Sequence, residues 1–203
     1  MAARGRPREF DRAEALWQAM MLFWERGYEG TTISDLIETM AISKPSFYAA
    51  FTSKEELFKE TLALYRTTEN TPVQAVLGET PGAKDAIAAA LLSYIRSYTA
   101  PDKPRGCMIV LASLLGIPEN AGIRSLLRES REHNEDELCA RIARGIAEGD
   151  VSAQADARRM AIFYATMIEG LSIQARDGAS FEKLQQAVDG AVAAWDVLVA
   201  PPD

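Results

Sequence analysis

Residues 31–57, TTISDLIETMAISKPSFYAAFTSKEEL, decide the fold of this chain. Thr32 is followed three positions later by Asp35, which is the pattern of a polar cap at the start of a helix. Ser43 can cap a second helix, and Pro45 is tolerated in its first turn because the N–H groups there have no helical partner. The pattern predicts two short helices joined by a turn of three residues.

Apolar spacing predicts a helix on each side of this pair. The preceding helix is expected from about Asp11 to Arg26, with Gly27 at its end. Its predicted apolar stripe is Phe10, Ala13, Trp17, Met20 and Trp24. The following helix begins at Ser53-Lys54-Glu55-Glu56, which has the pattern of a second capping box.

The remaining chain is also predicted to be helical, because Ala, Leu, Glu, Arg and Met recur at helical spacing and β-branched alternation is scarce. The segment from Thr67 to Gly82 is rich in proline and glycine and is expected to be loose. Five helices are predicted after it, over about Ala83–Tyr98, Gly106–Gly116, Glu119–Glu148, Ala153–Asp177 and Phe181–Val199. The predicted fold class is all-α.

The composition is that of a globular protein with a sizeable core. Of the 203 residues, 48% are hydrophobic and 25% are charged. The longest apolar run, Cys107–Ile117, is too short to span a bilayer, and the polar start has no apolar signal segment. Two cysteines, Cys107 and Cys139, do not make a disulfide framework. We therefore expect a cytoplasmic protein with no membrane partner.

The net charge of −7 argues against nucleic-acid binding by the field of the whole protein. Residues 1–60 hold 8 Lys and Arg against 10 Asp and Glu, so this part is slightly acidic as well. Any contact with DNA must come from a local patch. The first twelve residues offer one, because Glu9 and Asp11 are outnumbered by Arg4, Arg6, Arg8 and Arg12.

The predicted pair of short helices is suited to DNA. A second helix held at an angle by a short turn can enter the major groove while the first crosses the backbone. Helix N-termini attract phosphate through their free N–H groups. The candidates are Thr32 and Ser53 at N-termini, with Lys44, Ser46, Tyr48 and Lys54 close by. The same spacing also fits a helical hairpin that only packs, so spacing alone leaves both interpretations open.

Residues 10–58 resemble the DNA-binding domain of the TetR/AcrR family of transcriptional regulators. Three runs carry the resemblance in the family's order and spacing: Gly27-Tyr28-Glu29-Gly30-Thr31-Thr32-Ile33, Ile42-Ser43-Lys44-Pro45-Ser46-Phe47-Tyr48 and Phe51-Thr52-Ser53-Lys54-Glu55-Glu56-Leu57. The resemblance implies a homodimeric regulator, most often a repressor, whose second short helices bind half-sites of a palindromic double-stranded operator. It implies a three-helix helix-turn-helix domain over residues 1–60 and a helical domain for effector binding and dimerisation over residues 61–203.

The expected DNA contacts are Thr32, Ser43, Lys44, Pro45, Ser46, Tyr48 and Lys54, with Arg6 and Arg8 on an arm that could equally be a solvated tail. Two positions depart from the family pattern. Ala41 stands where the family usually has glycine, and a left-handed backbone there costs about 1 kcal/mol. Ile37 replaces a common alanine. We interpret both as packing variations that leave the function intact.

Pairing of two chains is predicted from the last two helices, whose apolar residues recur every three or four positions and suit a four-helix bundle between subunits. The expected interface residues are Tyr164, Ile168, Leu171, Leu184, Val188, Ala191 and Trp195. The alternative is that these stripes pack only within one chain.

A largely apolar effector pocket is expected among the middle helices, for a small hydrophobic or aromatic effector. Its candidate residues are Tyr65, Tyr94, Tyr98, Cys107, Met108, Leu111, Leu114, Phe163 and Met167, which could also be plain core. Cys107 follows Lys103 and Arg105 at a predicted helix start, where positive charge lowers a thiol pKa, so a thiol-based sensor of electrophiles or oxidants is an alternative to a small buried residue.

Other functions have less support in the sequence. Glu129, His133 and Glu137 share a helical face but are surrounded by further charges, which favours a solvated face over a metal site. We expect no cofactor, and no phosphate loop, Cys-x-x-Cys pair or nucleophile elbow indicates an enzyme. A helical small-molecule-binding protein without a DNA function remains an alternative, favoured by the acidic balance.

Overall fold

A computed structural model describes residues 11–114 and 120–200 of the chain. The predicted all-α class is confirmed within these ranges. The helices are α1 Arg12–Arg26, α2 Ile33–Thr39, α3 Lys44–Phe51, α4 Lys54–Tyr65, a π-helical turn Arg66–Asn70, α5 Thr71–Glu79, α6 Ala83–Tyr98, α7 Met108–Leu114, α8 Ala121–Glu148, α9 Ala157–Arg176, α10 Phe181–Ala193 and α11 Trp195–Val199.

The predicted caps define the starts of α2, α3 and α4. The Thr32 hydroxyl accepts from the Asp35 N–H at 3.1 Å, and the Asp35 carboxylate accepts from the Thr32 N–H at 2.8 Å, so the capping box of α2 is complete. Ser43 caps α3 by accepting from the Ser46 N–H at 3.2 Å. Ser53 caps α4 in the same way. The Glu56 carboxylate does not return to Ser53 but pairs with Lys59, so this second box is only half formed.

The buried face of α1 differs from the predicted stripe. Trp17 is 40% exposed and Ala13 is also exposed, whereas Phe10 lies outside the described residues. Because α1 packs against α4 and α7, the buried stripe is rotated toward them. Phe23 contacts Phe58 of α4 edge to face, with ring centroids 5.0 Å apart. The buried residues of α1 are Ala15, Ala19, Met20, Phe23 and Trp24.

The segment predicted to be loose is helical. The π-helical turn leads directly into α5, where Pro72 lies in the first turn. Val73 and Leu77, one turn apart, are buried and hold α5 against the core. Gly78 lies in the last turn, and its carbonyl accepts from the Arg144 guanidinium of α8. Tertiary packing here outweighs the weak helix propensity of proline and glycine.

The helix predicted over about Phe181–Val199 is two helices in the structure, because it is interrupted at Ala194 between α10 and α11.

The turn between α2 and α3 has a left-handed backbone at Ala41. Ala41 has φ +51°, a conformation in which the Cβ atom is strained. We expect Ala41→Gly to raise the free energy of unfolding by about 0.5–1 kcal/mol. The matched control is Ala49→Gly in α3, where the same change lowers it by about 1 kcal/mol. Urea unfolding measures both, and equal effects at the two positions would contradict the assigned strain.

The N-terminal helices are joined to the rest of the chain by α1 and α4. The Trp24 indole N–H of α1 donates to the Gly106 carbonyl before α7, at 3.0 Å. The same ring lies edge to face against Tyr65 at the end of α4, with centroids 4.9 Å apart. One continuous hydrophobic core therefore extends from α1 to α11. Among the described residues, no helix is long and apolar enough to cross a membrane.

Candidate DNA-binding interface and effector domain

Helix α3 has one buried and one open face. Phe47 and Phe51 are buried against the core of the first four helices. Lys44 and Pro45 are exposed, and Tyr48 is 44% exposed. The Tyr48 ring packs edge to face on Phe47, with ring centroids 5.3 Å apart. The helix thus presents an ammonium group and a phenol on its open side.

The threonine and serine hydroxyls among the predicted contacts already have partners within the chain. The Thr32 hydroxyl donates to Asp35 at 2.6 Å, and the hydroxyls of Ser43 and Ser46 lie 2.8 Å apart. Because these side chains cap helices, they order the N-termini of α2 and α3. The N-termini of α2 and α3 can therefore bind a phosphate mainly through their backbone N–H groups and the helix dipole.

Lys54 does not extend freely into solvent. Its ammonium nitrogen lies 4.1 Å from the centre of the Tyr28 ring, in a cation–π contact. Burial lowers the pKa of Lys54, and the nearby carboxylates of Glu29 and Asp35 oppose that shift. The lysine is therefore held at the N-terminus of α4, close to the loop that precedes α2.

Only one arginine of the predicted N-terminal patch, Arg12, lies within the described residues. Arg12 forms an ion pair with Glu60 of α4 at 2.7 Å, and its guanidinium lies 4.8 Å from the Phe51 ring centre. Its charge is thus compensated inside the protein. Arg6 and Arg8 lie outside the described residues.

The predicted effector residues form one buried cluster and several separate positions. Tyr65, Tyr94, Tyr98, Cys107 and Met108 are all buried. A cavity of about 20 Å³ adjoins Tyr98 and Cys107, which is room for about one water molecule. Leu114 is instead 57% exposed, because it ends α7 on the surface. The other predicted residues are only partly buried, namely Leu111, Phe163 and Met167.

The pKa of Cys107 is raised, as fits a small buried residue, and is not lowered as the alternative of a thiol-based sensor would require. Burial raises the pKa of this thiol, and a hydrogen bond from Tyr65 only partly offsets the effect. The cations that precede it have other partners. Lys103 pairs with Glu69, and Arg105 donates to the backbone carbonyls of Ala175 and Ala179.

Cys107 should consequently react slowly with alkylating reagents in the folded protein. We expect iodoacetamide to label the partly exposed Cys139 first at neutral pH, and labelling of Cys107 to increase with pH beyond the ordinary thiol pKa of 9.0. Mass spectrometry of the native protein measures both rates, with Cys107→Ser as the control. Rapid labelling of Cys107 at neutral pH, with operator release that is lost in Cys107→Ser, would instead support a thiol-based sensor.

The predicted dimer residues are already covered within one chain. The Tyr164 hydroxyl donates to the Ala191 carbonyl at 3.2 Å, and its ring lies 5.9 Å from Trp195. All seven are at most 6% exposed, because α9 and α10 pack on each other and on α6, with α8 and α11 also against α9. The same helices leave a different, small and apolar face open. The open face consists of Ile162, Thr166, Gly170, Ala187, Gly190 and Val197.

Polar contacts that the sequence did not indicate join the first helices to the later ones. Glu25 at the end of α1 pairs with Arg176 at the end of α9, at 3.0 Å. The Asn120 amide, at the N-terminus of α8, donates to both carboxylate oxygens of Glu29 at 2.8 and 2.9 Å. No spacing in the chain could have revealed these pairs, since their members are 151 and 91 residues apart.

Comparisons with known proteins agree with this architecture. Residues 16–61 match the family of bacterial regulatory proteins of the tetR type, and residues 83–192 match the tetracyclin repressor-like C-terminal domain. The HTH-type transcriptional repressor ComR of Escherichia coli K12 is 34% identical over 97% of this chain and 94% of its own length. The repressor BdcR of the same organism is 28% identical over 89% of this chain and 86% of its length.

A solved structure of the TetR family regulator CifR, a cysteine mutant in complex with 26 bp double-strand operator DNA, is 44% identical. The match covers 94% of this chain and 100% of that one, with a TM-score of 0.91. A TetR regulator from Chloroflexus aurantiacus is 27% identical with a TM-score of 0.79, over 91% of this chain and 93% of that one.

Two short helices joined by a short turn, with an open polar face on the second and a helical domain after them, are typical of a helix-turn-helix DNA-binding transcriptional regulator. The chain belongs to the TetR family, as the two family matches and the relatives establish.

Proposed function

We propose that the protein is a ligand-responsive repressor, which binds a palindromic operator as a homodimer and leaves it when a small molecule binds the C-terminal domain. The observation that carries the proposal is the open face of α3, where Lys44 and Tyr48 stand clear of the core above well-capped helix N-termini. Such a face supplies a charge and a hydroxyl to DNA without disturbing the packing beneath it.

The predicted contacts divide into two roles. Lys44, Pro45 and Tyr48 of α3 lie in the major groove, where they contact base edges and phosphates. The N-termini of α2 and α4, at Thr32 and Ser53, direct backbone N–H groups toward phosphates on either side. The ordered caps pre-organise these N–H groups, so little entropy is lost on binding.

Homodimerisation uses the open face of α9 and α10. Gly170 and Gly190 have no atom within 4 Å of the position that a Cβ would occupy, so their helices can approach another backbone closely. A groove of about 290 Å³ runs between the two helices beside Thr166, Gly170 and Ala187. A second copy of these helices completes a four-helix bundle and covers the exposed side chains of Ile162 and Val197.

Release of the operator is proposed to pass through α4. This helix begins beside α3 and ends at Tyr65, which is buried against Trp24 and donates to the Cys107 thiol. A ligand that displaces the end of α4 moves its beginning, and so changes the spacing between the two α3 helices of the dimer. The ligand must prefer the altered arrangement by a few kcal/mol to shift the population.

Selection of genomic fragments by the purified protein tests the proposal. The DNA comes from the source organism, and excess competitor DNA at near-physiological salt removes non-specific complexes. We expect enrichment of a palindromic site with half-sites about one helical turn apart. Reporter expression in cells with and without the protein then distinguishes repression from activation.

Two negative results of this selection would contradict different parts of the proposal. A protein that binds small molecules but enriches no site, with or without them, would be a helical binding module without a DNA function. Enrichment of single, non-repeated half-sites would contradict the proposed dimer but retain the DNA-binding role of α3.

A further inference from the structure

The N-terminus of α8 is bound to the loop that precedes α2. The Asn120 side-chain amide donates to both oxygens of the Glu29 carboxylate, at 2.8 and 2.9 Å, and within the described residues it has no other partner. A second contact holds the same end of α8. A Cβ atom on Gly122 would lie 3.9 Å from the carboxylate of Glu55, in the first turn of α4. The N-terminus of α8 therefore fixes where the Glu29 carboxylate lies.

Lys54 lies near Glu29 but is not paired with it. Its ammonium nitrogen is 4.1 Å from the centre of the Tyr28 ring, and Tyr28 directly precedes Glu29 in the chain. The Glu29 charge raises the pKa of Lys54 against the effect of burial, so the two charges act on each other across the space between them. In the described part of the chain, no carboxylate forms an ion pair with this ammonium group. The charge of Lys54 is thus available to an external anion.

Two neighbouring charged side chains already have ionic partners. Asp35 completes the capping box of α2 and lies 3.3 Å from the Arg26 guanidinium. Lys59 pairs with both acids in the first turn of α4, each at 2.8 Å. Among the described residues, Glu29 has only an uncharged amide as its donor, and Lys54 has only an aromatic ring as its partner. These two are the charges that can still form a new ion pair.

Glu29 needs another donor if the amide is removed. Its carboxylate is half-buried, and a partly buried anion without a donor is unfavourable. Lys54 supplies one by exchanging its contact with the ring for an ion pair. Such a pair at a partly exposed site is only slightly favourable, but it compensates the charge that a DNA phosphate would otherwise meet.

We propose that Asn120 is a positioning residue for operator binding: its amide holds the Glu29 carboxylate away from Lys54, which leaves the lysine free for an operator phosphate. The inference rests on the proposed function, because it uses Lys54 as one of the DNA contacts of that function. Helix α8 packs against α6, α7 and α9, so it joins the C-terminal domain directly to this contact. Hydrogen bonds weaken steeply with distance, so a shift of α8 by about 1 Å is enough to release Glu29.

Fluorescence anisotropy of the full-length protein with the selected operator tests the proposal. Asn120→Ala should lower operator affinity about tenfold, because one competing ion pair forms in each subunit. The slope of log affinity against log salt should fall by up to about 2 per dimer, since Lys54 no longer neutralises a phosphate. Addition of Glu29→Gln to this variant should restore the affinity to within about threefold of the wild type, because a neutral amide does not compensate the lysine.

Matched variants separate this effect from a general change of charge. Glu55→Gln, combined with Asn120→Ala, removes an acid from the same contact with α8 but should not restore affinity, because Glu55 is paired with Lys59. Lys54→Gln should lower affinity at least about tenfold, and Asn120→Ala should then add less than about twofold. Asn134→Ala, which removes another amide of α8 far from this contact, should bind as the wild type does.

Several outcomes would overturn the proposal. They are an unchanged affinity in Asn120→Ala or in Lys54→Gln, a loss that Glu29→Gln does not reverse, and a loss that Glu55→Gln reverses equally well. Glu29→Gln alone gives a check that does not depend on Asn120→Ala folding normally. It should bind the operator at least as tightly as the wild type, whereas a purely structural role of this contact predicts weaker binding. A wild-type protein that never binds the operator contradicts the proposed function instead.

Discussion

A Lys44→Ala, Tyr48→Ala double variant should lose at least about three orders of magnitude in operator affinity. Each subunit loses one charge-assisted and one neutral hydrogen bond to DNA, and a dimer loses two of each, at least about 4 kcal/mol in all. Both side chains are exposed on α3, so their removal leaves the buried Phe47 and Phe51 in place. Circular dichroism and the melting temperature should therefore stay unchanged.

Anisotropy at several salt concentrations separates the two contributions. Lys44→Ala alone should reduce the slope of log affinity against log salt by about 2 per dimer, since two phosphate neutralisations disappear. Tyr48→Phe should reduce affinity without changing that slope. Lys84→Ala is the charge-matched control, because Lys84 is a surface lysine of α6 paired with Asp196, far along the chain from α3. An unchanged affinity in the double variant would show that α3 is not the DNA-binding helix.

Gly190→Glu should convert the dimer to a monomer. Nothing lies within 4 Å of the Cβ position of Gly190, so the new side chain fits within its own subunit. Glutamate also has a higher helix propensity than glycine, which favours α10 by about 1 kcal/mol. In the proposed dimer, however, the carboxylate enters an apolar helix–helix contact in both subunits. Burial of two unpaired charges should raise the dimer dissociation constant by more than about a hundredfold.

Analytical ultracentrifugation measures this change, and Gly78→Glu in α5 is the matched control. Gly78 is also helical with an open Cβ position, but it lies on a different part of the surface. The control should remain dimeric and bind the operator normally. The monomeric Gly190→Glu variant should lose most of its operator affinity, since only one half-site can be bound at a time. A dimer that withstands Gly190→Glu would exclude this face of α9 and α10.

The N-terminal domain could be predicted closely because its signals are local. Thr32, Ser43 and Ser53 each cap a helix through a backbone N–H three positions away, and such a contact depends only on neighbours in the chain. The left-handed turn at Ala41 is a local feature in the same sense. Trp17 was predicted on the buried face of α1 but is exposed, because the rotation of a helix about its axis depends on the elements that pack against it.

The later part of the chain was harder to predict because its features depend on distant partners. Thr71–Glu79 is helical despite Pro72 and Gly78, since α5 packs on α6 and α8. Apolar periodicity identified the seam at Leu184 and Val188, but it could not state whether that seam faces another helix of the same chain or a second subunit.

By itself, then, the sequence determined the all-helical class, the cap-defined pair of short helices and the positions of Lys44 and Tyr48 on the second of them. These follow from interactions within one or two turns of the backbone. Only the tertiary structure decided that the Cys107 thiol is buried with a raised pKa, that Asn120 binds Glu29 near Lys54, and which face of α9 and α10 stays open. The physical reason is that burial, charge pairing and exposure are properties of the space between helices, to which residues far apart in the chain contribute together.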